Sequence, residues 1–185
     1  FAFVRETELV RRVGPPLAIA GALNVLWMLS AQLIASQLLN TLLLFPIAWC
    51  AWRAAREFDQ MRGLGGDASK LVADATTGLL SGWITVAVAI SAPLTVRTLT
   101  GLGASDAPWQ MLFLTLAVAA GGAYAFASRV SRSLWYFVAL GWGVACIALN
   151  NWFVTGMNPM AVIAALAGAA IIRFRLTGAP NGSMA

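Results

Sequence analysis

Asn24 and Trp27 sit three residues apart in "ALNVLW" (22–27), inside an apolar run long enough to cross a bilayer. On a helix that spacing puts an amide and an indole on one face. Lipid offers no hydrogen-bond partner, so an amide at that depth must find one in protein or ligand. Two readings stay open. Asn24 joins helices through an interhelical hydrogen bond, worth about 0.6–2 kcal/mol, or the pair walls a pocket, the amide orienting a ligand and the indole stacking on it. Trp83 and Trp142 also fall deep within apolar segments, where an indole N–H needs a partner, and complete the predicted ligand-binding set with core packing as the competing reading. The other five of the eight Trp, at 49, 52, 109, 135 and 152, fall near predicted helix ends, where indoles favour the headgroup level.

The residue inventory excludes much other chemistry. There is no His, the commonest metal ligand and general base. Cys50 and Cys146 lie in different apolar segments, at opposite depths, and suggest no disulfide. No Ser, Cys or Lys has a His to activate it. The sequence therefore predicts no enzyme, no metal site and no covalently held cofactor. A single Lys, Lys70, leaves no basic face for nucleic acid. Intramembrane charge marks ion and proton paths, and only Asp74 and Arg97, both near the ends of one segment, come close; a transporter ranks third among the functions considered. Ser91 and Pro93 are the one hint of a mid-span interruption, and Pro93 is expected to kink or end its helix.

The elements that must position these residues follow from composition. The chain has 185 residues, 60% of them hydrophobic and 10% charged, with a mean hydropathy of +0.79; soluble domains carry about a quarter charged residues. A single all-α transmembrane domain over 1–185 is predicted, a polytopic bundle with six spans at about 14–35, 37–55, 71–96, 109–128, 133–150 and 157–174. Pro15-Pro16 opens the first, since proline is tolerated at a helix start. The short break at Ala35-Ser36-Gln37 implies an antiparallel hairpin. "RGLGGD" (62–67), "TGLGASDAP" (100–108) and "NPM" (158–160) punctuate the rest. Small residues at 117, 121, 125 and 128, and again in "ALAGAA", predict close helix packing or a homodimer.

With six spans, all but one of the twelve Lys and Arg fall on one side, Arg97 being the exception. The positive-inside rule makes that side cytoplasmic. Both visible ends are expected in the cytoplasm, with the chain a multi-pass protein of a bacterial inner membrane. The opening "FAFVRETELVRR" reads as the tail of an earlier apolar segment and predicts further helices upstream.

The order of landmarks resembles the TspO family of tryptophan-rich sensory or translocator proteins. "PPLAIAGALNVLWMLSAQLIASQLLNTLLLFPIAWCAWRAARE" is similar to the family's third and fourth helices, and "LLSGWITVAVAISAPLTVRTL" to its fifth. "RSLWYFVALGWGVACIALNN" and "MNPMAVIAALAGAAIIRFRL" resemble the added C-terminal helices of the longer bacterial subgroup. The likeness covers residues 11 to about 175. The family's first two helices, which form much of its ligand pocket, have no counterpart in this sequence. The resemblance implies binding of porphyrins or other flat hydrophobic molecules, a link to tetrapyrrole, photosynthetic or stress regulation, and Asn24, Trp27 and Trp83 at the family's landmark positions. The expected function is thus a sensory, regulatory or carrier protein for a tetrapyrrole-like ligand. The alternative is an accessory subunit of a larger photosynthetic or respiratory membrane complex.

Overall fold

The computed structural model describes residues 7–61, 67–101, 130–154, 156 and 158–177. Among them are five helices: α1 (Thr7–Leu33), α2 (Gln37–Gln60), α3 (Asp67–Thr100), α4 (Leu134–Phe153) and α5 (Asn158–Thr177). The first four are long and apolar enough to cross a membrane. In α5 the described apolar run is Ala161–Ala170, and the predicted span at 109–128 lies outside the described residues, as do Trp109 and the small-residue stripe there. The all-α bundle is as expected; six spans is more than the described residues contain.

Helix α1 starts two turns before Pro15-Pro16, which do not open it. Its first turns hold themselves together. The Glu8 carboxylate pairs with Arg11 at 2.8 Å and Arg12 at 2.7 Å, i,i+3 and i,i+4 partners with the acid toward the positive end of the helix dipole. Leu9 and Val13 then bury against Phe58, Met61 and Ala73. Proline has no N–H to give the carbonyl four residues back, so Arg11 and Arg12 lose their ordinary intrahelical donors. Position 93 likewise does not end α3, which continues to Thr100. Beyond it the Thr95 hydroxyl bonds to the Ser91 carbonyl at 2.8 Å and meets Thr41 of α2 at 2.7 Å.

The α1–α2 hairpin turns as predicted. Ala35 takes the left-handed conformation (φ 52°), and the N–H groups of Ile34 and Ala35 both return to the Ser30 carbonyl, at 2.9 and 3.3 Å. Ser36 caps α2, its Oγ accepting from the Leu39 N–H at 3.3 Å.

The described helices pack in chain order, each on the next. Pairings fix their directions. Ser30 meets Asn40 and Arg12 meets Glu57, so α1 and α2 are antiparallel. Thr41 meets Thr95 and Trp52 meets Thr85, so α2 and α3 are antiparallel. Helices α3 and α4 run parallel: Gly78 faces Trp135, Gly82 faces Ala139 and Gly143 faces Val86. A Cβ on Gly78 would stand 2.6 Å from Ser133 Oγ, and one on Gly82 would strike the Tyr136 carbonyl. Only glycine permits this approach. Gly168 of "ALAGAA" faces Val144 of α4, and Ala161 and Ala164, just ahead of that stretch, are buried.

Candidate functional site

Along α1, Leu9, Val13, Leu17, Ala20, Asn24 and Trp27 recur every three or four residues and form the inward stripe, its first four members buried. At 1.5 Å per residue Asn24 lies about 18 Å from Arg12 and about 14 Å from Leu33, which is the middle depth expected from the sequence. Trp27 packs against a core of Leu44, Ile47 and Ala48 from α2 and Ile84 from α3, with Leu23, Leu80 and Val88 beside it. The Trp27 indole Nε1 is buried and has no hydrogen-bond partner among the described residues. The half-buried Asn24 amide likewise makes no hydrogen bond among the described residues.

The interhelical joining considered for Asn24 is carried out by other groups. Ser30 Oγ donates to Asn40 Oδ1 at 3.1 Å. A second chain runs from Gln37 Nε2 to Thr41 Oγ1 (3.3 Å) and on to Thr95 (2.7 Å). A hydroxyl has one proton; since Thr95 gives its own to Ser91, Thr41 is the donor between the two threonines.

Buried polar residues of α3 follow a rule of their own. Thr77, Ser81 and Thr85 each return a hydroxyl proton to the carbonyl four residues back, at 2.7, 2.6 and 2.8 Å. That satisfies them inside the bundle. Thr85 retains its lone pairs, and two donors use them: Trp52 Nε1 at 2.9 Å from α2 and the fully buried Tyr136 O–H at 3.1 Å from α4. This junction of three helices was not anticipated. Trp52, expected in the interfacial belt, points inward because α2 is rotated so that Ala48, Ala51 and Ala55 leave room beside it. The junction had one visible signal in the sequence, the spacing Gly78-x-x-x-Gly82, which brings α4 close enough for Tyr136 to reach α3.

The remaining predicted site residues lie elsewhere. Trp83 is 46% exposed, on the same side of α3 as Leu79. Trp142 is 68% exposed on α4, near Val138 and Leu149. Of the four, only Asn24 and Trp27 share a face. Trp152 is exposed in the last turn of α4, whereas Trp49, expected at a helix end, is exposed at the midpoint of α2 because that helix runs on to Gln60; Cys50 and Cys146 are free thiols.

The arrangement around Trp27 offers an aromatic ring, one buried N–H and one amide. No match is found among curated proteins or solved structures. The family model described as TSPO-like protein matches residues 2–177, which takes in α1 with Asn24 and Trp27, the glycine-joined α3–α4 pair and α5. An apolar bundle of membrane-length helices, matched over nearly its whole length, makes this chain an integral membrane protein of the TSPO-like family.

Proposed function

We propose that this protein binds a flat hydrophobic ligand of the tetrapyrrole class beside α1, in a sensory, regulatory or carrier role and without catalysing a reaction. The observation that carries the reading is the buried, unpartnered Trp27 Nε1 with the equally unpaired Asn24 amide one turn away. A buried donor without an acceptor costs about 1–3 kcal/mol. A ligand presenting an acceptor here recovers that energy on binding, while its ring system replaces lipid against the indole. Trp83 and Trp142 join such a site only where another element or a second copy closes over their exposed faces, so the test centres on Asn24 and Trp27. The host membrane is a bacterial inner membrane, with the basic end of the bundle cytoplasmic.

The test is a tryptophan-fluorescence titration of the purified protein in detergent with protoporphyrin. Saturable quenching is expected, and the Asn24→Ala/Trp27→Phe double variant should weaken affinity about tenfold, the value of one or two lost polar contacts. Quenching that never saturates, or an unchanged affinity in the variant, rejects the site.

A second reading, an accessory subunit of a larger membrane complex, is favoured by the exposed aromatic faces at Trp83 and Trp142. It predicts co-purification with other chains at fixed stoichiometry in mild detergent. A homogeneous small oligomer counts against it.

A further inference from the structure

A groove of about 450 Å³ lies between the start of α1 and the end of α2, remote from Trp27 and at the bundle's basic end. Its polar lining is Arg11, Arg12, Arg53 and Glu57; its apolar lining includes Ile19 and Trp49. The two kinds of lining are separated by depth. Along α1, Ile19 is seven residues past Arg12, about 10 Å further into the bundle. Along α2, Trp49 is one turn inward of Arg53. The groove is thus cationic at the mouth and apolar toward the middle of the bundle.

The charges at the mouth do not cancel. Arg11 and Arg12 share Glu8, and Arg12 reaches Glu57 only at 3.9 Å. Arg53 has no carboxylate partner among the described residues. Three guanidinium groups face two carboxylates, leaving a fork of donors suited to phosphate. Acceptors stand beside them. Because Pro15 and Pro16 cannot donate, the carbonyls of Arg11 and Arg12 lack their helical partners at this wall.

We propose that this groove is a binding site for one anionic phospholipid with hydroxyls in its headgroup. Arg53, with Arg11 and Arg12, holds the phosphate. The headgroup hydroxyls donate to the freed carbonyls ahead of the two prolines. The upper acyl chain lies along Ile19 and Trp49. A zwitterionic choline lipid presents the same phosphate but brings a bulky cation with no hydrogen-bond donor to a cationic mouth, and is disfavoured. The site is independent of the Asn24–Trp27 ligand reading.

Native mass spectrometry of the full chain, released from detergent with equal dioleoyl-phosphatidylglycerol and dioleoyl-phosphatidylcholine, tests this. One retained phosphatidylglycerol per chain is expected, in preference to the choline lipid. Arg53→Ala should lower its retention about tenfold, the value of one charge-assisted contact, and Arg97→Ala, at the bundle's other end, should not. Because Arg53 is exposed, an unchanged melting temperature should accompany the loss. Equal retention of the two lipids, an equal loss with Arg97→Ala, no loss with Arg53→Ala, or displacement of the lipid by millimolar inorganic phosphate or by protoporphyrin would overturn the proposal.

Discussion

Two interior tryptophans of this bundle differ in one respect that matters energetically. Trp52 gives its indole proton to Thr85 at 2.9 Å, whereas Trp27 gives its proton to nothing among the described residues. Both pack against the Leu44–Ile47–Ala48–Ile84 cluster, and Trp52 packs in addition against the cluster of Val86, Val130, Tyr136 and Leu140. The difference between the two variants therefore reports the Thr85 hydrogen bond together with that second packing contact. Trp52→Phe should destabilise the ligand-free protein by about 1–2 kcal/mol more than Trp27→Phe, since it also strands an acceptor position on Thr85. Reversible unfolding in mixed micelles measures both. An equal loss would mean that Trp27 Nε1 is satisfied in the membrane, and its claim as a ligand contact would lapse. That Asn24 and Trp27 share a face is readable from their spacing alone. That the indole lacks a partner among the described residues is not, because it depends on how α2 and α3 are turned against α1.

Helix α3 is the element on which the bundle turns, and two glycines set how closely α4 lies against it. Gly82 has the Tyr136 carbonyl and Ala139 Cβ where its own Cβ would be, whereas Gly141 of α4 has nothing within 4 Å. Gly82→Ala must push α4 away and loosen the Tyr136–Thr85 bond, a cost of about 1–3 kcal/mol. Gly141→Ala meets no neighbour and gains up to about 1 kcal/mol of helix propensity. Opposite shifts in unfolding midpoint are expected, and two shifts of the same sign would refute the parallel α3–α4 contact. The same elements show what a sequence discloses about such a fold. The helices and the α1–α2 hairpin were legible because apolar length and the Ala35-Ser36 break are local properties. Rotation about a helix axis is not local: Trp52 lies near the end of the predicted span 37–55, as an interfacial residue would, but α2 runs on to Gln60 and the small, buried Ala48, Ala51 and Ala55 turn that stretch inward. The start of α1 was missed for a related reason. Proline is usually read as the first residue of a helix, and here Glu8 with Arg11 and Arg12 had already built two turns ahead of it.

Across the whole molecule, the helix directions sort the charges. Arg11 and Arg12 begin α1, Arg53 and Arg56 lie toward the end of α2, Lys70 lies near the start of α3, and Arg132 precedes α4. The contacts Arg12–Glu57, Arg132 N–H to Asp59 and Ser133 Oγ to the Asp74 carbonyl draw these termini to one end. Arg97 stands at the opposite end, in the last turn of α3. The asymmetry found by counting along the sequence is thus an asymmetry in space for the described helices. Basic residues resist translocation, so the proposed orientation puts this end in the cytoplasm. Two exposed positions discriminate: Gln60, the last residue of α2 at the basic end, and Thr98, in the last turn of α3 beside Arg97. With Cys50 and Cys146 replaced by Ala, Thr98→Cys should react with a membrane-impermeant maleimide added to intact spheroplasts. Gln60→Cys should react only after the membrane is opened. The reverse pattern would invert the molecule and place the Arg53 groove on the outer leaflet. Labelling of both before lysis would mean that α3 does not carry the chain across the membrane between these positions, against the length and apolarity of Lys70–Thr100.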